Sequence, residues 1–472
     1  MFFSSLFFLC VFLPINLFFY YLIDNIRYKN IMLIISSLVF YAWGEPVWIL
    51  ILVSNAIFNY FIGISAEKNR KERKGKAIVV FGIIANLSIL VFFKYLGFFV
   101  ESFNLILGSN IPIIDISVPI GISFYTFKTI SYILDVYRGD VKAEDSPIRF
   151  LLYVSLFHHI VAGPIERYKH IGMHIKERTF SKSEFNDGVG RFIVGLGKKI
   201  IIANQANEFS KAFFDMDYSR LPVLGAWVGI LLFAIEIYFD FSGYSDMAIG
   251  LGKMYGFNYR ENFNYPYVAK SITEFWRRWH ISLTTFFRDY VYIPLGGNRR
   301  YHIRNMLLVW LLTGFWHGAS WNFIVWGLYF FILLVFEKYF LEKAGKRIPR
   351  ILHRFYFITA ILVGWVFFYH SSLTDAFRFL GIMFGVGVSS WSSPEVGIFV
   401  NNYILFIIVG LIGCTPIMRI ISKRLKEIFK DKKFGSYSAE GLIRSLVNIA
   451  MLIVSIIMLV GQSYNPFLYF KF

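Results

Sequence analysis

Apolar segments recur along almost the whole chain, and short runs of Lys and Arg separate them. A helix needs about 20 apolar residues to cross a bilayer core. In lipid the backbone must satisfy its own polar groups, so segments of this kind fold as helices. Spans are predicted near 5–23, 31–63 (broken around Gly44-Glu45-Pro46), 77–100, 118–137, 187–205, 222–241, 305–314, 319–341, 354–369, 374–388, 400–421 and 443–462. The expected fold is all-α and polytopic, with roughly 11 transmembrane helices. The stretches 149–164 and 305–316 look too short or too polar to span. They fit re-entrant or interfacial helices, which protein or a cavity must cover. The N-terminal apolar run has no basic leader and no small-residue cleavage site, so it reads as an uncleaved first helix followed by Arg27 and Lys29. No internal repeat or composition break marks a second domain, so 1–472 is read as one membrane domain.

Composition agrees. With 57% hydrophobic residues and a mean hydropathy of +0.56, a soluble fold would leave large apolar patches in water. The net charge of +18 does not form one stripe or arm. It gathers in Glu67–Lys76, in Lys343, Lys346, Arg347, Arg350 and Arg354, and in Arg419–Lys433. That pattern marks cytoplasmic loops and gives no nucleic-acid footprint. The expected partners of this charge are anionic headgroups of the lipid bilayer or a phosphorylated cytosolic substrate. Cys10 and Cys414 lie far apart in apolar segments with no metal or redox spacing, so both read as packing residues and no metal is expected.

His317 lies between two apolar segments, in Arg304–Phe330. A titratable group at membrane depth is a functional-site hypothesis by default. The competing structural reading is a histidine satisfied at a helix kink near Gly314 and Gly318. Four further constellations bear on the choice. In Ser271-Ile-Thr-Glu-Phe-Trp-Arg-Arg-Trp-His280, Ser271 and Glu274 have capping-box spacing, and Glu274 can pair with Arg278. Arg277 and His280 follow about a turn apart, and an interfacial helix with snorkelling arginines is the structural alternative. In Phe287–Arg300, Gly296-Gly297 allows close backbone approach, and Arg288, Arg299, Arg300 and nearby Arg304 could neutralise phosphates, the structural alternative being a glycine turn with basic juxtamembrane residues. No Walker signature follows. In Tyr238–Gly250, Asp240 and Asp246 end an apolar span, where buried carboxylates need partners; anchoring Arg277 or orienting a histidine is one reading, and helix-end carboxylates facing headgroups is an equal one. His158-His159 reads as structural packing, because adjacent residues on a helix rarely share one ion.

Taken together these blocks resemble the membrane-bound O-acyltransferase superfamily, in its bacterial branch that includes the alginate O-acetyltransferase membrane subunit. The resemblance covers most of the chain and is densest over 119–330. It rests on Met1–Leu22, Pro119–Phe127, Ala162-Gly-Pro-Ile-Glu-Arg167, Phe239–Gly250, Glu261–Tyr267, Phe275–Leu283, Arg288–Asn298 and Trp316-His-Gly-Ala-Ser-Trp321. His158-His159 is the departure. The resemblance implies helices around a central funnel or tunnel in a bacterial cytoplasmic membrane. It puts the signature histidine on His317, beside Trp316, and a second polar position on His280. It implies no bound cofactor. The donor would be cytosolic acetyl-CoA, held by Arg277, Arg278, Arg288, Asn298, Arg299 and Arg300. The acceptor would be an extracytoplasmic polysaccharide hydroxyl, reached through a secreted or anchored serine esterase-like (SGNH) acetyltransferase. A neutral imidazole beside a hydroxyl can act as general base or become acylated, and the residues leave both open.

Two rivals remain at this level. A D-alanyl transferase for teichoic acid belongs to the same superfamily and would take its donor from an acyl-carrier protein. A proton-coupled transporter or channel would also place His and Asp in the membrane. It should more often show two-fold hydropathy symmetry, which is not found here.

Overall fold

The computed structural model describes all residues except 115, 342–348, 389, 430–432, 435–436, 462–466 and 468–472. The predicted cytoplasmic charges Lys343, Lys346, Arg347, Lys430 and Lys432 lie outside the described residues. Among the described residues the fold is helical, apart from a two-stranded antiparallel pairing of Lys433–Phe434 with Tyr437–Ser438.

Among the described residues, seven helices are long and apolar enough to cross a bilayer. They are Ile49–Lys68, Arg73–Lys94, Val223–Met254, Trp321–Leu341, Arg350–Tyr369, Pro394–Gly413 and Ala439–Val460. Phe8–Leu22 and Leu96–Leu107 are apolar but shorter. The 31–63 segment is two helices, Ile26–Ala42 and Ile49–Lys68, broken around Gly44-Glu45-Pro46 as predicted. Other segments counted in the sequence are helical yet short. Leu373–Met383 has 11 residues, or about 16 Å at 1.5 Å per residue. Ile122–Arg138 has 17 residues, nearly all buried, including Thr126, Lys128, Thr129 and Asp135. Protein, not lipid, surrounds that helix, which is why it tolerates polar side chains.

Val223–Met254 forms the centre, and Lys182–Gly197 packs along it. Glycines set the contact. A Cβ on Gly188 would meet the Gly250 carbonyl oxygen at 2.7 Å, and one on Gly195 would meet that of Gly243 at 2.6 Å. The reciprocal approaches are equally close, so two antiparallel backbones touch at positions seven residues apart. Small residues of this kind let membrane helices pack by van der Waals contact. Outer helices carry the lipid-facing surface, with Phe18, Leu50, Leu405, Leu446 and Ile457 all exposed. Cys414 is buried as a packing residue should be, whereas Cys10 is exposed on this outer surface.

The 149–164 stretch is a nine-residue helix, Pro147–Ser155, followed by irregular backbone that is buried throughout 156–167. Non-helical backbone at this depth is tolerated only under such protein cover. The 305–316 stretch lies in one unbroken helix, His302–His317. Trp321–Phe336 returns alongside it, so the two make a helical hairpin with His317 at its tip. A Cβ on Gly314 would lie 2.2 Å from the Phe323 carbonyl oxygen, and one on Gly327 would lie 2.4 Å from that of Trp310. The hairpin is closed by backbone contact at both glycines.

Candidate active site

The 16 residues of His302–His317 put its last residue about 22 Å along the axis from its first. His317 is 3% exposed. Its ring lies 4.9 Å from Trp316, 5.1 Å from Trp326 and 5.2 Å from Phe368, each contact edge-to-face. Its Nδ1 is buried and has no hydrogen-bond partner among the described residues. Six other described histidines, His158 and His159 among them, also carry an unpaired buried nitrogen, so the feature singles out His317 only together with its aromatic shell and the nearby His280. An imidazole nitrogen left free inside an aromatic shell is the arrangement a reacting group needs.

His280 approaches from a different element. It sits between the short helices Ile272–Arg278 and Ile281–Phe287, with φ 43° in the left-handed region. That conformation is uncommon for a non-glycine residue and makes the sharp turn that aims the ring inward. The His280 ring lies 5.8 Å from the Trp316 ring, so Trp316 touches both histidines. Phe127 stacks on Trp316 at 5.8 Å. The structure therefore brings together His280, Trp316 and His317.

A polar chain holds the His280 turn. Nδ1 of His280 is 3.5 Å from the Ser282 hydroxyl. That hydroxyl donates to Asn262 Oδ1 at 2.8 Å and accepts the Ile165 N–H at 3.0 Å. Asn262 Nδ2 donates to the Ser245 hydroxyl at 3.2 Å. Glu337 acts one step further out. Its carboxylate accepts the backbone N–H groups of Ile272 and Thr273 at 2.5 and 3.0 Å, at the N-terminus of the helix leading to His280. Ser271 also caps that helix through Glu274 N–H, as the capping-box spacing predicted. Ser282, Asn262 and Glu337 were missed in the sequence. Only the position of Asn262 and Ser282 inside the matched blocks signalled them.

The predicted carboxylates pair with cations of the neighbouring 182–203 segment. Asp240 pairs with Lys199 at 2.5 Å. Asp246 pairs with Lys198 at 2.6 Å and Arg191 at 2.8 Å, in place of the Arg277 or histidine contact read from the sequence. Both tie the central helix to 182–203, because the glycine contacts fix the register between them. His158 and His159 face separate partners, the Tyr259 hydroxyl at 2.9 Å and the Lys128 ammonium at 3.1 Å, in line with packing.

The candidate donor-binding residues divide. Arg278 pairs with Glu274 at 2.8 Å as predicted and also donates to the Asn264 carbonyl, so it clamps its own helix. Arg288 is exposed and donates to Asp289. Burial pushes the Asp289 carboxyl up, but hydrogen bonds and charge from Arg288 and Arg167 outweigh it and hold the group below the ordinary carboxylate range. Arg277, Asn298, Arg299 and Arg300 are exposed, and these three arginines form no ion pair with a described residue. Asn305 organises the glycine turn, its Nδ2 within 3.1 Å of the carbonyls of Leu295, Gly297 and Arg300. Lys338 reaches the base of the same hairpin, 2.9 Å from His302 Nε2 and 3.4 Å from Asn298 Oδ1. Arg70 donates to the Arg138 carbonyl and Arg138 to the Asp289 carbonyl. Arg70, Arg138, the 288–304 segment and Lys338 thus share one face, and His317 sits at the other end of the hairpin.

Residues 142–373 match the profile of the membrane-bound O-acyltransferase family. A Pseudomonas aeruginosa protein named "Probable alginate O-acetylase AlgI" is 37% identical, covering 100% of both chains. The chain belongs to the membrane-bound O-acyltransferase family. The peptidoglycan O-acetyltransferase of Helicobacter pylori is 33% identical over 100% of this chain and 97% of its own. The teichoic acid D-alanyltransferase of Bacillus subtilis is 32% identical over 48% of this chain and 60% of its own. The protein is accordingly a multi-pass membrane O-acyltransferase of the alginate O-acetylase-like branch.

Proposed function

We propose that this acyltransferase passes an acetyl group from cytosolic acetyl-CoA to an extracytoplasmic polysaccharide, from a bacterial cytoplasmic membrane. The observation that carries the reading is the convergence of His317 and His280 on Trp316 at the tip of a hairpin whose base is basic. Full-length similarity to O-acetylating proteins favours acetyl over D-alanyl, since the D-alanyltransferase match spans about half the chain. The donor phosphates bind at the face carrying Asn298, Arg299, Arg300 and Lys338, with exposed Arg277 as a further candidate, and the positive bias of the loops supports a cytoplasmic location for that face. An SGNH-type acetyltransferase outside the membrane completes delivery to the polymer.

The chemistry assigned to the site is acyl transfer. The acceptor hydroxyl attacks the thioester carbonyl, the carbon–sulfur bond breaks, and His317 moves the hydroxyl proton to the departing thiolate. His280 holds polar groups beside it, and Trp316 keeps the two rings in register. The aromatic shell excludes water, which would otherwise hydrolyse the thioester.

His317→Ala tests the reading. Cells lacking their own copy and complemented with this variant should make normal amounts of membrane-inserted protein. Their polysaccharide should carry no base-labile acetate. Wild-type acetate in a well-expressed variant would refute the assignment of His317.

A further inference from the structure

One lysine has a position that charge bias does not explain. Arg73–Lys94 begins inside the Glu67–Lys76 cluster and runs 22 residues, so Lys94 sits about 31 Å from that basic end. Lysines at such a far end usually snorkel toward headgroups. Lys94 turns inward instead. Its ammonium donates to the Trp316 carbonyl at 2.8 Å and lies 3.5 Å from that of His317. No described carboxylate pairs with it. The next residue continues the contact. Tyr95 is buried, stacks on Phe315 at 4.0 Å, and its hydroxyl donates to the Phe315 carbonyl at 2.9 Å.

A helix leaves its last four carbonyls without internal partners. In His302–His317 three of those four belong to Phe315, Trp316 and His317, the groups that Lys94 and Tyr95 meet. Gly318 follows in extended backbone, with no left-handed closure to satisfy them. A cation here also complements the negative end of the helix dipole. The last turn that carries His317 is therefore fixed from outside its own hairpin, by a residue 222 positions away from Trp316.

We propose that Lys94 is a positioning residue of the transfer site: its ammonium locks the C-terminal turn of the His302–His317 helix and thereby sets the His317 ring, with Tyr95 as second anchor. This rests on His317 being the transfer histidine. Lys94 touches carbonyls, not the reacting atoms, so its loss should slow turnover without changing how the donor binds at the opposite, basic face.

The test uses membranes from cells lacking their own copy, complemented with full-length variants in which Cys10 and Cys414 are alanine. Radiolabelled acetyl-CoA is the probe, and base-labile label in the host polysaccharide is the readout. Lys94→Met and Lys94→Cys should lower kcat by about 30- to 100-fold, the scale of a displacement near 1 Å. The donor KM should stay within about threefold of the parent, as expected for an interaction that does not contribute to ground-state binding. Treating the Lys94→Cys membranes with 2-bromoethylamine rebuilds an ammonium on a lysine-length side chain and should restore most of the turnover. The same treatment should leave Lys94→Met unchanged. Lys94→Arg should keep more activity than Lys94→Met. Parental turnover in either neutral variant overturns the proposal, and so does a slow Lys94→Cys protein that alkylation does not rescue. If Lys94→Met fails to accumulate, the Lys94→Cys pair before and after alkylation decides. His317→Ala runs in parallel. If it is active, the reading of His317 has failed; if it is inactive while Lys94→Met is normal, only the Lys94 proposal has.

Discussion

Gly327→Ala probes how closely the position of His317 is set by the hairpin beneath it. The added Cβ would lie 2.4 Å from the Trp310 carbonyl oxygen, whereas ordinary contact begins near 3.4 Å. Backbone cannot rotate aside as a side chain end can, so the two helices must part by about 1 Å. Trp310 is seven residues below His317, about two turns, and a rigid helix carries that displacement to its tip. A misplacement of 1 Å at a reacting group costs on the order of 10²-fold in rate, or about 2.7 kcal/mol of barrier. The stability cost is smaller. Overpacking costs about 1–3 kcal/mol, and the better helix propensity of Ala returns roughly 1 kcal/mol. The variant should therefore insert and fold, melt a few degrees lower, and transfer acetyl about a hundredfold more slowly. Gly397→Ala is the control, because a Cβ there meets nothing within 4 Å. It should match the parent in turnover and melt no lower than it. Transfer by Gly327→Ala within threefold of the parent, measured as base-labile acetate per unit of membrane-inserted protein, would refute this account of the hairpin.

Two further substitutions address the surroundings. Asn262→Ala cuts the Ser245–Asn262–Ser282 chain and leaves the Ser282 backbone N–H without its acceptor, at a cost of about 1–3 kcal/mol. Turnover should fall about tenfold through a looser His280, and unchanged turnover in a folded variant would contradict the orienting role. Asp289→Asn leaves the buried Arg167 guanidinium without its carboxylate at 2.8 Å and should cost about 3 kcal/mol. Because the folded-state pKa of Asp289 is depressed, its contribution is complete above the unfolded value near pH 4 and is lost as pH falls through the folded value. Thermal melts in detergent should show a stability gap between parent and Asp289→Asn that is constant from pH 8 to about 5 and narrows below about pH 4. A gap independent of pH down to 3 would remove the charge from the explanation.

His317 stood out in the sequence because its neighbours are so apolar, whereas His280 lies in a semi-polar stretch and was singled out by the matched block that contains it. Their partners were not. Asp240 and Asp246 announced a need for cations, yet the choice of Lys199, Lys198 and Arg191 depends on register. That register is set by Gly188 and Gly195 meeting Gly250 and Gly243, a tertiary contact with no local signature. Glu337 caps a helix that starts 65 residues earlier, and Lys94 reaches a carbonyl 222 residues away. The span count differed for a related reason. Hydropathy measures fitness for lipid, but Ile122–Arg138 is enclosed by other helices and carries Lys128 and Asp135 fully buried. Lys128 donates to the Tyr153 and Val154 carbonyls at 2.6 and 2.9 Å, so even that charge meets partners only the fold supplies.

The architecture also bears on what crosses the membrane in the proposed transfer. The hairpin separates a basic base, with Asn298, Arg299, Arg300 and Lys338, from a tip lined by Trp316, Trp326 and Phe368. About 22 Å of helix lies between them. Phosphates are stable beside the arginines, where water and cations solvate them, and would be costly in the aromatic shell. An acetyl group is small and neutral and has no such penalty. A donor that leaves its charged part at the base and presents only its acyl end at the tip satisfies both environments at once. The carrier then remains on the side where it bound. In sealed vesicles, acetyl-CoA supplied at the basic face should acetylate an acceptor enclosed on the other side with the partner enzyme, and free CoA should stay outside. CoA recovered with the product, without leakage, would show that the whole donor passes and that the division of charge between base and tip has another purpose.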